Sequence, residues 1–119
     1  MDITDKTIRE ICKFISSKLG EDIKALRVGE KTILADWFII CSAKNENHVN
    51  ALAQEIDDFS SSLGMTLRRS DGIEGGRWVV LDYTDVLIHI FHPDEREFYN
   101  LERLWESGDN LLNLDMSDE

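Results

Sequence analysis

Arg77-Trp78-Val79-Val80-Leu81-Asp82-Tyr83-Thr84-Asp85-Val86-Leu87-Ile88-His89-Ile90-Phe91 is the stretch whose reading decides the fold. Two runs, residues 77–83 and 86–91, flank Thr84-Asp85, the pattern of a β-hairpin with a very tight turn. Alternation along such strands puts Val79, Leu81 and Tyr83 with Val86, Ile88 and Ile90 on one face, an almost wholly aliphatic surface suited to packing beneath helices. Trp78, Val80 and Asp82 then share the other face with Leu87, His89 and Phe91, a mixture of aromatic, acidic and histidine side chains. In a two-layer domain that second face stays at least partly open, which makes it a candidate protein-binding surface. The plainer alternative packs Trp78 and Phe91 under the loop at residues 71–76.

Working outward, Ile8, Ile11, Cys12, Ile15 and Leu19 recur at helical spacing, with Gly20 placed as a stop. Residues 25–28 read as a short strand ending at Gly29-Glu30, and the unbroken apolar run at 37–41 reads as a strand buried on both faces. Asn45 or Asn47 can cap a second helix whose stripe is Val49, Leu52, Ala53, Ile56, Phe59 and Leu63, closed by Gly64. Residues 65–68 read as the next strand, and a crossover of this length predicts a parallel, right-handed pairing with the strand at 37–41. Gly72, Gly75 and Gly76 mark a loop before the hairpin. Pro93 ends the last strand, and a short helical segment around residues 98–105 follows. Segment 108–119 holds four acids and no base and reads as a loosely held acidic C-terminal tail after a domain of residues 1–107. The fold class is α/β (α+β), a mixed sheet of about five strands with flanking helices.

A chain of 119 residues suits one domain, and 42% hydrophobic with 31% charged residues describes a globule rather than a disordered polyelectrolyte. No run approaches the ~20 apolar residues of a membrane-spanning helix. The net charge of −11 repels phosphate backbones, so direct nucleic-acid recognition is disfavoured. Cys12 and Cys41 are the only cysteines and show neither CxxC nor Cys/His ligand spacing, which leaves a zinc site and a disulfide scaffold without support. The first residues carry no apolar targeting stretch, so the expected location is the cytoplasm.

Catalytic readings find little purchase. Asp57 and Asp58 are adjacent on a helix and diverge by about 100°, so they cannot share a metal. Asp82 and Asp85 flank a turn, and no Asp-x-Asp lies on an expected strand. His48, His89 and His92 are scattered, and Cys41 ends a buried apolar run with nothing to activate it. The glycine-rich stretch 72–76 lacks the lysine and following helix of a phosphate cradle.

Residues 71–91, followed by Arg96-Glu97-Phe98-Tyr99-Asn100-Leu101-Glu102-Arg103-Leu104-Trp105, closely resemble the Iojap family, the ribosomal silencing factors RsfS. The likeness extends upstream through Ala35-Asp36-Trp37-Phe38-Ile39-Ile40-Cys41 and His48-Val49, covering roughly the span from 5 to 106. Thr84 stands where the family usually has glycine, and Ala43-Lys44-Asn45-Glu46-Asn47 replaces a small, hydroxyl-rich turn.

The resemblance implies a domain similar to the nucleotidyltransferase fold without its catalytic acids, hence no enzyme, no cofactor and no metal. It further implies binding to the universal ribosomal protein fourteen of the large ribosomal subunit, which sterically blocks small-subunit joining and represses translation. A strongly acidic domain suits a basic ribosomal protein. The expected contact residues are Trp78 as aromatic anchor, Asp82 and Asp85 as acidic partners, and Glu74, Tyr83 and His89 in support. Two rival classes are a nucleotidyltransferase-like enzyme and a self-associating structural module, the latter matching a homodimer off the ribosome.

Overall fold

Local signals place nine elements along residues 3–73 and 76–114, the part of the chain that the computed structural model describes. They are α1 (Asp5–Ser17), β1 (Glu21–Arg27), β2 (Trp37–Ser42), α2 (Glu46–Ser62), β3 (Arg69–Ile73), β4 (Trp78–Asp82), β5 (Val86–Phe91), α3 (Pro93–Tyr99) and α4 (Leu101–Trp105).

Thr4 caps α1 by accepting from the Thr7 amide. The end of α1 differs from the expectation in detail. Leu19, not Gly20, adopts the left-handed conformation (φ 70°), while the Gly20 amide reaches back to the Ile15 carbonyl at 2.9 Å. Glycine is needed at position 20 because a Cβ there would lie 2.3 Å from Ile15 Cγ2. Of the two asparagines that could cap α2, Asn45 does so. Its side chain accepts from the His48 amide at 2.8 Å, and His48 Nδ1 accepts in return from the amide of Lys44, one residue before the cap, at 2.9 Å. The His48 Nε2–H donates to the Lys18 carbonyl at 3.0 Å, tying the end of α1 to the start of α2.

The five strands form one mixed sheet in the order β1-β2-β5-β4-β3, antiparallel except for the central β2·β5 pair. The hairpin has the expected register, with Trp78 opposite Phe91, Val80 opposite His89 and Asp82 opposite Leu87. β2 is buried on both faces, as its apolar run requires. α1 and α2 cover the aliphatic face, where Ile8, Ile15, Leu52 and Ile56 pack on Val79, Leu81, Ile88 and Ile90.

Three expectations are corrected. Residues 65–68 form no strand; the chain leaving α2 reaches β3 on the far side of β4, antiparallel to it. Both edges of β2 are already occupied, by β1 and by β5, so no place remains beside it for a crossover strand, and Met65 instead plugs the core. Gly72 belongs to this edge strand rather than to a loop, because an edge strand needs a ladder on one side only. Nor is the segment after Ser107 loosely held over residues 110–114. Asn110 and Leu112 pair with β1 through Arg27 N–H···O=C Asn110 (2.8 Å) and Leu112 N–H···O=C Ala25 (2.9 Å), and Leu112 is buried in the core.

Candidate functional site

On the second face of the sheet, β4 presents Trp78, Val80 and Asp82, β5 presents Leu87, His89 and Phe91, and β2 presents Phe38 and Ile40. Part of this face is closed. His92 caps α3 with Pro93 at its first turn, and Asn100 (φ 45°) breaks the chain between α3 and α4. An unbroken helix would have put Phe98 on one side with Leu101 and Trp105. The left-handed residue changes the phase, so that Tyr99, Leu101 and Trp105 pack onto the sheet while Phe98 and Leu104 are exposed at 79% and 74%.

Arg96 fastens this cover. It is 8% exposed, and its guanidinium donates to Glu102 Oε2 (2.9 Å), to Ser42 Oγ (2.9 Å) and to the Asp22 carbonyl (2.7 Å), joining both short helices to the ends of β1 and β2. A second cation, Arg77, links the start of β4 to Glu95 of α3 (2.7 Å) and Glu46 of α2 (3.1 Å). Sequence reasoning missed both arginines, since only the tertiary fold brings their carboxylates to them.

The expectation of an open mixed face therefore holds for only part of it. Trp78 and Phe91 do pack together, but beneath α3 rather than as a loop-covered pair. The indole stacks on Phe91 with centroids 4.7 Å apart and meets Tyr99 at 5.0 Å. Trp78, Val80, Asp82 and Leu87 keep partial exposure, a half-open strip over β4 and β5 rimmed by Arg68, Arg69 and Asp71.

The six residues expected to act together are divided by the structure. Trp78 Nε1 donates to His89 Nδ1 at 3.3 Å, so these two form one unit. His89 is 6% exposed, meets Phe38 edge-on at 64° with centroids 5.0 Å apart, and is held neutral because burial pulls its pKa down to about 4. A neutral imidazole that accepts at Nδ1 carries its proton on Nε2, and this buried donor has no partner among the described residues, an arrangement costing roughly 1–3 kcal/mol.

Asp82 lies on the same face as Trp78 but four residues along the strand, about 13 Å away. Its carboxylate meets Arg68 at 3.3 Å and accepts from the Thr84 amide at 2.8 Å. Asp85 sits in the turn, partly exposed, where its carbonyl accepts from the amides of Asp36 and Trp37. Tyr83 is on the opposite face. It is 6% exposed and its hydroxyl donates to Asp57 at 2.6 Å, with burial raising its pKa above the ordinary phenol value. Glu74 lies outside the described residues.

Among the described residues, no group of three or more His, Cys, Asp or Glu side chains is placed to hold a metal ion, and no helix is long and apolar enough to cross a membrane. Burial pushes the Cys12 and Cys41 thiols up to about 12, far from the range of a nucleophile.

Comparison with known proteins now places the chain. The family model described as "Ribosomal silencing factor during starvation" matches residues 2–119. The ribosomal silencing factor RsfS of Bacillus subtilis is 42% identical over 88 residues, spanning 74% of this chain and 75% of that protein. The chloroplastic protein Iojap of Arabidopsis thaliana is 32% identical over 93 residues, 78% of this chain and 39% of the plant protein. A crystal structure from Bacillus halodurans superposes with a TM-score of 0.78 at 32% identity, covering 93% of this chain and all of that one, and one from Chromobacterium violaceum gives 0.73 at 29% identity, covering 93% and 96%. With matching motifs, matching fold and a family match along almost its entire length, this chain belongs to the RsfS family of ribosomal silencing factors.

Proposed function

We propose that the protein represses translation in the cytoplasm by seating on the large ribosomal subunit, against its universal ribosomal protein fourteen, and so preventing the small subunit from joining. The action is occlusion, without catalysis or cofactor. The observation that carries this reading is the half-open strip Trp78–Val80–Asp82–Leu87 on a chain of net charge −11 within the RsfS family. A half-buried indole with a firm backing is a typical interface anchor, and an acidic domain is drawn to basic ribosomal protein while being repelled by exposed rRNA. Asp82 and Asp85 supply the acidic fringe. Glu74 stays an expected acidic contact of the same partner, and His89 acts from beneath Trp78. Tyr83, on the helical side, serves the core instead.

Sedimentation with purified large subunits, small subunits and whole ribosomes tests the proposal. The protein should travel with free large subunits and lower the yield of joined ribosomes at stoichiometric amounts, and Trp78→Ala should weaken binding by at least ~2 kcal/mol. Equal travel with small subunits, or unimpaired joining, would sink it. Analytical ultracentrifugation of the free protein tests whether the same strip pairs two copies off the ribosome.

A further inference from the structure

His89 is the buried imidazole for which neither capping nor an ion pair gives a use. It occupies the middle of the second face, between Ile40 on β2 and Val80 on β4, a place where a leucine would pack without bringing a buried N–H of its own. Among the described residues, the one hydrogen bond of its ring is that from Trp78. Stacking on Phe91, with planes 23° apart, and contact with Tyr99 hold the plane of the indole. A half-turn about the Cβ–Cγ bond, a torsion with broad, nearly two-fold preferences, would keep that plane but carry the six-membered ring to the other side and turn Nε1–H away from His89. The bond from Nε1–H adds a directional preference for the observed orientation to that of the ring packing.

We propose that His89 is a positioning residue: by accepting the Trp78 indole N–H it selects one of the two ring orientations and fixes which edge of Trp78 the half-open strip presents to a partner. The choice of edge rests on no reading of function; that the edge matters for the large subunit rests on the function proposed above. The depressed pKa of His89 fits the role, since an imidazolium would carry a proton on Nδ1 and could not accept.

The test uses the full chain. In the unsubstituted protein, nitrogen-15 spectra of His89 should show an unprotonated Nδ1 and a protonated Nε2; the reverse tautomer would overturn the assignment with no substitution made. His89→Leu fills similar space without an acceptor, whereas Asn offers an amide oxygen close to the place of Nδ1. The Trp78 indole resonance, identified by its absence in Trp78→Phe, should move in His89→Leu and return towards its original position in His89→Asn, with the Trp37 signal fixed. An unmoved Trp78 signal in His89→Leu refutes positioning. Affinity for large subunits should fall about fivefold in His89→Leu, equivalent to one neutral hydrogen bond, and recover in His89→Asn. A shifted indole with unchanged affinity overturns the functional half of the proposal. Unchanged affinity in Trp78→Ala would overturn the anchor reading itself, which the spectra do not depend on.

Discussion

Arg96 and Glu102 form an ion pair of 2.8 Å across the left-handed break at Asn100, with side chains only 9% and 16% exposed. Their bond, rather than helix propensity, holds two helices of seven and five residues against the sheet. Removing one partner of a buried pair strands the other, so Arg96→Met should cost about 3 kcal/mol in urea unfolding. Trp105 and Tyr99 should gain solvent exposure before the sheet melts, visible as an early red shift of tryptophan emission.

Thr84 has φ 76° in the hairpin turn, a left-handed conformation that burdens a β-branched residue. Thr84→Gly relieves this, although glycine gives back part of the gain through the freedom of the unfolded chain. A net stabilisation of about 0.5–1 kcal/mol is expected from denaturant midpoints, with the Asp82 bond to the residue-84 amide retained.

His89 titrates near its ordinary value of 6.5 when unfolded and at about 4 when folded. Above pH 6.5 both states are neutral and the stability is fully present. Between 6.5 and 4 the unfolded chain binds the proton and the folded chain does not, so stability falls with pH by up to about 3 kcal/mol. Comparing unfolding free energies of the parent and His89→Leu from pH 7 to 4 isolates this contribution, and the variant should show the shallower decline.

Truncation before Gly108 should unseat more than an acidic appendage. The loss of buried Leu112 alone is worth about 2 kcal/mol. The outer edge of β1 would also lose its bonds to Asn110 and Leu112, exposing a strand edge to other chains. A lowered midpoint together with concentration-dependent aggregation is the expected result.

Asp82→Asn combined with Asp85→Asn should slow association with the isolated ribosomal protein and flatten its salt dependence, because charges at the surface act on diffusional encounter and are screened beyond ~8 Å at physiological salt. Asp82 contributes the smaller share because its side chain is 17% exposed and paired with Arg68. Asparagine keeps an acceptor for the Thr84 amide, so the turn should survive. Stopped-flow rates across a salt series check this; rates equal to those of the parent would move the acidic contact elsewhere.

Elements with short-range causes were legible in the sequence. Ile8 to Ile15 repeat at helical spacing, and the hairpin's alternation predicted its register down to Trp78 opposite Phe91. What escaped depended on competition between distant segments. Residues 65–68 look like a strand, yet the flank of β2 they would need goes to β5. Residues 108–114 are polar enough to read as a tail, but β1 has a free edge where Leu112 can reach the core. The candidate site was half legible for the same reason. The alternation put Trp78, His89 and Asp82 on one face, while the cover over His89 depends on the turn of phase at Asn100 and the buried Arg96.

The parallel pairing of β2 with β5 also sets the timing of folding. Trp37 meets Val86, and α2, β3 and β4 lie between them in the chain, so the centre of the sheet is a contact between segments made far apart in time during synthesis. The first half, α1 through α2, can form helices and the β1·β2 ribbon as it emerges, but the groove that β5 fills stays open until the hairpin has left the ribosome. A member of the RsfS family thus closes the centre of its own core only after the ribosome making it has released β5.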